Sequence, residues 1–355
     1  MLVVAEQLRR AVPGGIGTAG LGLLRGLATL ARGEAPSVTL YASRARSVPD
    51  PLAATGYPVL TSRLPAPVLT RAWDRGVLGV PGGFGVVHTL SLAVPPTGRV
   101  PLVATVHDMA WRHHPDAYPT RGRRWHEAAL VRALRKASHF VVPADVVAAE
   151  LVAAGAAPDA VSVVPLGCDH LPDPDDAAAG AVLARLGVAG EFVLAVGTLE
   201  PRKNLPRLFD AYDKARSALA PSCALVVVGP SGWGDTVAPR PGVVLAGPVD
   251  GATLAALYRR TRLLVYVPLE EGFGLPPVEA MREGAPVVAS PVPSTGGAAL
   301  EVDPTDVDAI AAGIVAAAVD EDTRARLRAA GAARAASLTW RSTAAAVVAL
   351  WRSLS

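Results

Sequence analysis

Cysteine occurs twice in 355 residues, at Cys168 and Cys223, and methionine three times. Two distant cysteines exclude a disulfide framework or a zinc site, so both read as ordinary small residues. Charged residues make up 18% of the chain, with no long polar tract of the kind that stays disordered. No apolar run approaches the ~20 residues a helix needs to cross a bilayer. The N-terminus, MLVVAEQLRRAVPGG, reads as a short strand followed by charge and lacks the apolar core of a secretory signal. A cytoplasmic protein is expected. A net charge of +3 carries no nucleic-acid signature, even with a pI near 9.1. Lysine is nearly missing: it stands only at 136, 203 and 214 among 34 basic residues. In so Arg-biased a chain, each lysine is worth notice.

What is present is apolar bulk, 51% of the chain, at a length that fits two domains. Strands are predicted at Leu2–Ala5, Val38–Tyr41, Val86–Thr89, Leu102–Val106, Phe140–Pro143 and Val161–Pro165. Helices fall near 18–31, 122–137 and 144–154. The Pro- and Gly-rich region 43–85 reads as loops with one short helix near 67–76. After a polar interval at 167–190, read as a hinge, come strands Phe192–Val196, Ala224–Val228 and Val243–Ala246, with helices at 205–219 and 252–260. Helices at 304–319, 321–336 and 339–354 close the chain. Strands alternating with helices imply right-handed crossovers and mainly parallel sheets. The expected division is 1–168, 169–336 and a terminal helix over 337–355.

Residues 262–290, RLLVYVPLEEGFGLPPVEAMREGAPVVAS, form the most informative stretch. A buried strand at Leu263–Val267 runs into an acidic, Gly-rich turn, and a helix starts at Pro276-Pro277. Such a unit sets its loop at the carboxyl edge of a parallel sheet, where open α/β sheets bind ligands. Glu271 in the turn and Glu279, placed in the first helical turn, are separated by seven residues. Carboxylates there suit sugar and ribose hydroxyls. Taken singly, Glu279 also fits a helix-dipole partner and Glu271 a solvated loop charge. Arg202 and Lys203 precede a helix for which Asn204 is the predicted N-cap, a place that favours anions and suits a diphosphate.

Gly14-Gly15-Ile16-Gly17 reads as a tight turn. Gly15–Gly20 matches G-x-G-x-x-G literally. However, the gap after the first strand is long, and no acidic residue ends the second, which argues against a nicotinamide site. His107-Asp108 ends another predicted strand. The interval Arg112–Lys136 carries seven bases against two acids, near Trp111 and Trp125. It reads either as a surface for an anionic acceptor or membrane headgroups, or as a solvated helix face. Asp173-Pro174-Asp175, Asp306-Val307-Asp308 and Asp320-Glu321-Asp322 mimic the metal-binding D-x-D but follow no strand, and they read as linker or helix-start acids.

The pattern E-G-F-G-L-P-P-V-E-A, with G-T-L-E-P-R-K-N at 197–204 and T-V-H-D at 105–108, resembles the retaining GT-B glycosyltransferases of family 4. The resemblance implies two Rossmann-like domains facing a cleft, with the last helix crossing back to the N-terminal one. It implies a nucleotide-sugar donor of GDP or UDP type, GDP-mannose favoured, a glycan, lipid-linked or small acceptor, and no metal or other cofactor. By it, Gly15, Gly17, Arg202 and Lys203 bind donor phosphates. Glu271, Phe273, Gly274, Leu275 and Glu279 bind sugar and ribose, and Gly247 and Val249 the base. The catalytic residues it implies are His107, which hydrogen-bonds the donor sugar and helps stabilise positive charge on its ring, Glu271 beside that sugar, and Asp108, which orients His107 or the acceptor. One departure is a short segment after Ser290, where family members carry a longer Glu-Val-Gly-Asp-like element. A nucleotide-sugar-binding protein without turnover is the alternative of another class. An NAD-linked oxidoreductase, or a phosphorylase needing a pyridoxal phosphate lysine, ranks below it.

Overall fold

A computed structural model describes residues 1–10, 14–31, 33–45, 50–233 and 240–355. The chain forms two compact units, one of Met1–Gly167 with Thr339–Ser355, the other of Cys168–Leu338. The first begins with β1 (Leu2–Val4), α1 (Gly14–Ala28), β2 (Thr39–Ala42), β3 (Val59–Thr61), α2 (Ala66–Asp74), β4 (Val87–Thr89) and β5 (Leu102–Thr105). It continues through α3 (Ala110–His113), α4 (Thr120–Lys136), β6 (His139–Val142), α5 (Asp145–Ala153) and β7 (Val161–Val163). The second holds α6 (Asp176–Arg185), β8 (Phe192–Val196), α7 (Leu205–Ala215), β9 (Ala224–Val228), β10 (Val243–Gly247) and α8 (Gly251–Arg260). Then come β11 (Leu263–Tyr266), α9 (Leu275–Arg282), β12 (Val287–Ala289), β13 (Leu300–Glu301), α10 (Val307–Val319) and α11 (Glu321–Ala336). The last helix, α12 (Trp340–Leu354), belongs to the first unit.

Both sheets are parallel throughout, in the orders β3-β2-β1-β4-β5-β6-β7 and β10-β9-β8-β11-β12-β13. Each is buried on both faces, which explains the unbroken apolar runs in its strands. In β5, Leu102 and Ala104 join Leu69 and Trp73 of α2 and Leu130 of α4, while Val103 faces Leu23 and Leu27 of α1 and Val347 of α12. That alternation is the two-residue period of a strand. In each unit, chain order runs outward in both directions from a central pair, β1/β4 and β8/β11. These pairs are the switch points at which ligand crevices open.

The structure departs from the sequence-based expectation at four places. The stretch Gly14–Gly17 is the first turn of α1, not a separate turn; Pro13 lies outside the described residues. The 43–85 region contains β3 at the sheet edge. The supposed hinge at 167–190 contains α6, capped where the Asp175 carboxylate accepts the Ala178 N–H at 2.9 Å. Asn204 occupies the predicted cap position but caps no N–H with its side chain.

The glycines of α1 admit α12. A Cβ at Gly22 would overlap the Trp340 indole, and one at Gly26 the Trp340 carbonyl. Deeper in the same unit, Trp351 donates its indole N–H to His88 Nδ1 at 3.1 Å, and His88 Nε2 lies 2.9 Å from the Thr105 hydroxyl. Accepting at Nδ1 puts the ring proton on Nε2, so a neutral His88 is a satisfied member of the core, 1% exposed. Burial, helped by His107, lowers its pKa to about 3.

Two predictions follow from this packing. Gly26→Ala is expected to lose roughly 1–3 kcal/mol of stability through overpacking, whereas Gly15→Ala, whose Cβ meets nothing within 4 Å, stays level or gains up to about 1 kcal/mol. Equal denaturation midpoints for the two variants would refute the close approach. For His88, the unfolded chain binds a proton between pH 6.5 and 3 that the folded one refuses, so stability falls as pH drops through that window. The slope from this group is about 1.4 kcal/mol per pH unit. His88→Gln, which keeps a donor and an acceptor, should remove that component from urea titrations followed by tryptophan fluorescence. Five of the six tryptophans lie in this unit. Identical pH slopes for the two proteins would contradict the assignment.

Candidate active site

The loops after β8 and β11 flank the switch point of the second sheet, and this brings Arg202, Lys203 and Glu271 together. Arg202 and Lys203 end a 3-10 turn, Pro201–Lys203, and the Leu269 N–H donates to the Arg202 carbonyl at 2.9 Å, tying the loops. Lys203 Nζ pairs with Glu271 Oε1 and donates to the Tyr266 hydroxyl at 3.0 Å. Tyr266 in turn donates to the same Glu271 oxygen at 2.9 Å. Arg202 Nη1 lies 2.8 Å from that oxygen and donates to the Glu270 carbonyl, while Nη2 donates to Glu200 at 2.9 Å. Glu271 is therefore no solvated loop charge. Burial pushes its carboxyl upward, but Lys203 and Arg202 outweigh it and hold the pKa at about 2. Glu200, also buried, is raised by desolvation, which Arg202 and Lys203 oppose without overcoming.

Small residues let the cluster close. A Cβ at Gly197 (φ 154°) would sit 3.3 Å from the Lys203 stem, and one at Gly229 would overlap the Gly197 carbonyl. Asn204 is the one non-glycine residue with positive φ (59°) among the described residues. Its amide donates to the Val267 and Pro304 carbonyls at 3.0 and 2.7 Å, locking the turn that carries Arg202 and Lys203 to the end of β11. Conformational strain there is offset by these two hydrogen bonds, one buried and one partly buried.

Glu279 is the fifth residue of α9, past the first turn, so it is not the dipole partner that its predicted placement suggested. It is 6% exposed. Its Oε2 accepts from the Tyr258 hydroxyl at 3.0 Å, and its Oε1 lies 3.2 Å from His170 Nε2. Between the two glutamates, Phe273 and Leu275 are buried and Gly274 (φ 88°) starts α9. A Cβ at Gly274 would press Ser294 and Val292 at 3.3 Å, and Ser294 N–H donates to the Phe273 carbonyl at 2.9 Å. The short segment after Ser290 thus packs directly beneath the E-G-F-G turn. Gly247 (φ 73°) closes edge strand β10 and accepts the Gly229 N–H at 3.1 Å; Val249 is half-buried just before Asp250, the cap of α8. Gly247 and Val249 share the carboxyl edge with the ion cluster without touching it.

The remaining predicted residues lie in the first unit. Gly15 and Gly17 are in the first turn of α1, where N–H groups lack helical partners. His107 follows β5, and its Nε2 lies 3.0 Å from the Leu90 carbonyl, an acceptor that requires the proton on Nε2. Burial lowers its pKa against the opposing pull of the Leu90 bond and Asp108. The Leu90 carbonyl orients His107; the Asp108 carboxylate instead accepts the Ala110 N–H at 3.2 Å and starts α3. The basic interval does not form one uniform face either. Arg112 pairs with Glu127, and Arg132 with Asp74. Asp175, Asp306 and Asp320 each cap a helix. The reading missed Tyr266, Tyr258, His170 and Glu200. Only Tyr266 carried a signal, as the one side chain with a polar group in an otherwise apolar strand.

Comparison with known proteins agrees with this geometry. The family model described as Glycosyltransferase Family 4 matches residues 14–170, and that of Glycosyl transferases group 1 matches residues 190–320. The chain is 34% identical to O-antigen chain mannosyltransferase B of Escherichia coli over 254 residues, 67% of this chain and 66% of that one. It is 32% identical to the serotype-specific mannosyltransferase WbdA of Escherichia coli over 171 residues, 43% of this chain and 21% of that one. It thus spans two thirds or less of the length of these relatives. The crystal structure of Anabaena HepE with UDP and glucose superposes with a TM-score of 0.73, at 17% identity over 99% of both chains. The two parallel Rossmann-like units are of the GT-B type, and the chain belongs to the group 1 glycosyltransferases, family 4.

Proposed function

We propose that the protein transfers a hexose, with mannose favoured, from a nucleoside-diphosphate sugar to a hydroxyl of a glycan, lipid-linked or small acceptor, with retention at the anomeric carbon. The observation that carries this reading is the buried Lys203–Glu271–Arg202 cluster at the switch point. Two cations anchored there match the charge that develops on a departing diphosphate. Glu271, ionised at neutral pH, is an acceptor only; it fits the sugar hydroxyls and cannot serve as a general acid. Glu279, held by Tyr258 and His170, presents a carboxylate fixed for ribose hydroxyls. The first-turn N–H groups of Gly15 and Gly17 are assigned to donor phosphate, and Gly247 and Val249 to the base.

In this reading the acceptor hydroxyl attacks on the face from which the diphosphate leaves, and the departing phosphate oxygen takes the proton. His107, neutral and with its Nε2–H turned to Leu90, offers Nδ1 as a lone pair toward positive charge on the sugar ring. The residues supply positioning and charge, and the reading requires no metal. The names of the two Escherichia coli relatives support mannose, and the HepE complex supports a nucleoside diphosphate. No described helix is long and apolar enough to cross a membrane.

Lys203→Met and Glu271→Gln, which keep side-chain volume, are each expected to lower kcat by roughly 10²-fold or more. Glu271→Ala is a poorer test than Glu271→Gln, because it removes the acceptor oxygen and the side-chain volume as well as the charge, leaving two buried cations with nothing in place of the carboxylate. Unchanged turnover in both conservative variants would refute the site assignment. Thermal-shift titration with GDP, UDP, ADP, dTDP and NAD, without metal, should raise Tm with one nucleoside diphosphate, GDP by preference. Stabilisation reaches about 2.7 kcal/mol at 100-fold excess over Kd. A shift with NAD alone would sink the proposal. A nucleotide shift with neither transfer nor donor hydrolysis would leave a binding protein without turnover.

A further inference from the structure

In the first unit, a cavity of about 820 Å³ opens at the carboxyl ends of β1 and β2, between the segments that follow them and helices α2 and α4. Five arginines and two carboxylates line it. Both carboxylates are already engaged. Glu6 accepts the Ser43 N–H and, at 2.9 Å, the Ser43 hydroxyl. Asp74 takes Arg132 and the Trp125 indole N–H at 3.3 Å. Arg9 is engaged as well, by Asp50 and the Ser43 carbonyl.

Arg10, Arg44, Arg71 and Arg121 remain, lining the cavity with no carboxylate partner among the described residues. Four like charges converging on one concavity repel one another, and a bound anion relieves this. Guanidinium forks match phosphate oxygens best. The volume falls within the ~300–1,000 Å³ of small-molecule sites, many times that of a free phosphate. Trp125 adds an apolar wall. The phosphate therefore has a larger body attached to it.

We propose that this cavity binds a phosphate- or diphosphate-bearing organic molecule, an inference that stands apart from the transferase reading. Two sources share the chemistry, a soluble sugar phosphate and a lipid diphosphate. The arginines that meet here come from four segments spread between residues 9 and 121, so the site belongs to the fold and not to the local basic run.

The test is arginine footprinting. The full-length protein is treated with phenylglyoxal, and modification of each arginine is followed by peptide mass spectrometry. Probes are pyrophosphate, mannose 1-phosphate, farnesyl diphosphate in detergent micelles, phosphatidylglycerol vesicles and, as a neutral control, mannose. Pyrophosphate and at least one of the organic phosphates should slow modification of Arg44, Arg71 and Arg121 several-fold. Exposed Arg328 in the other unit should keep its rate. Whichever organic phosphate protects at the lower concentration identifies the source.

Absence of protection, or equal protection of Arg328, would overturn the proposal. Protection by vesicles alone would also overturn it, in favour of a membrane-facing surface. In the Arg71→Ala/Arg121→Ala protein, protection of Arg44 should be lost. Each charge-assisted contact removed should raise about tenfold the concentration of the organic phosphate that gives half-maximal protection.

Discussion

One buried carboxylate oxygen, Oε1 of Glu271, organises the second unit. It accepts Lys203, Arg202 and Tyr266 at once. Taking three charges out of water costs several kcal/mol per ion, and only close mutual placement offsets it. That placement comes from topology. The strand order puts β8 beside β11, so loops 68 residues apart in sequence meet at one edge. Gly229, after β9, lets that loop close on the Gly197 carbonyl, and the Asn204 amide ties the β8 loop to Val267 at the end of β11 and to Pro304. A lysine suits the centre, since its compact ammonium has three donors and reaches both Glu271 and the Tyr266 hydroxyl, where a planar guanidinium would not.

The two units treat cation charge differently. In the second, Arg202 and Lys203 are balanced by Glu271 and Glu200, so an incoming anion must compete with a carboxylate already in place. Its advantage is confined to ligands whose geometry satisfies both cations together, which is a source of selectivity more than of affinity. In the first, four of the five cavity arginines have no such competitor, and charge alone favours an anion there. Preorganisation explains the arrangement in the second unit: cations locked by a buried partner lose little entropy when the reaction needs them.

Much of this was legible in the sequence, because the informative signals were local. β8 and β9 stand where their apolar runs predicted, and the Gly-x-Gly turn next to an apolar strand marked Glu271. The errors fell where local signal is weak. β3 has three residues, an edge position and a Pro-rich surrounding, too short for any period. α6 was masked by its own Asp-Pro-Asp cap, which reads as linker until Asp175 is seen to accept from Ala178. His170 and Tyr258 converge on Glu279 from 109 and 21 residues away, with no motif to announce them. Buried polar partners of this kind are specified by the fold alone.

The basic interval shows the same limit from the other side. Seven bases in Arg112–Lys136 suggested one charged face, yet a helix distributes consecutive residues around its axis. Arg112 turns to Glu127 and Arg132 to Asp74, while Arg121 faces a cavity shared with arginines from the β1 and β2 segments and α2. Net charge along a segment therefore says little about where charge is available. What matters is which guanidiniums keep a carboxylate once the chain has folded. Here the acids nearest in space, Glu6, Asp50 and Asp74, are all committed to holding secondary structure together. The same hydrogen bonds that build the cavity wall thus leave Arg10, Arg44, Arg71 and Arg121 uncompensated, so structural economy in the wall and affinity for anions in the cavity have one cause.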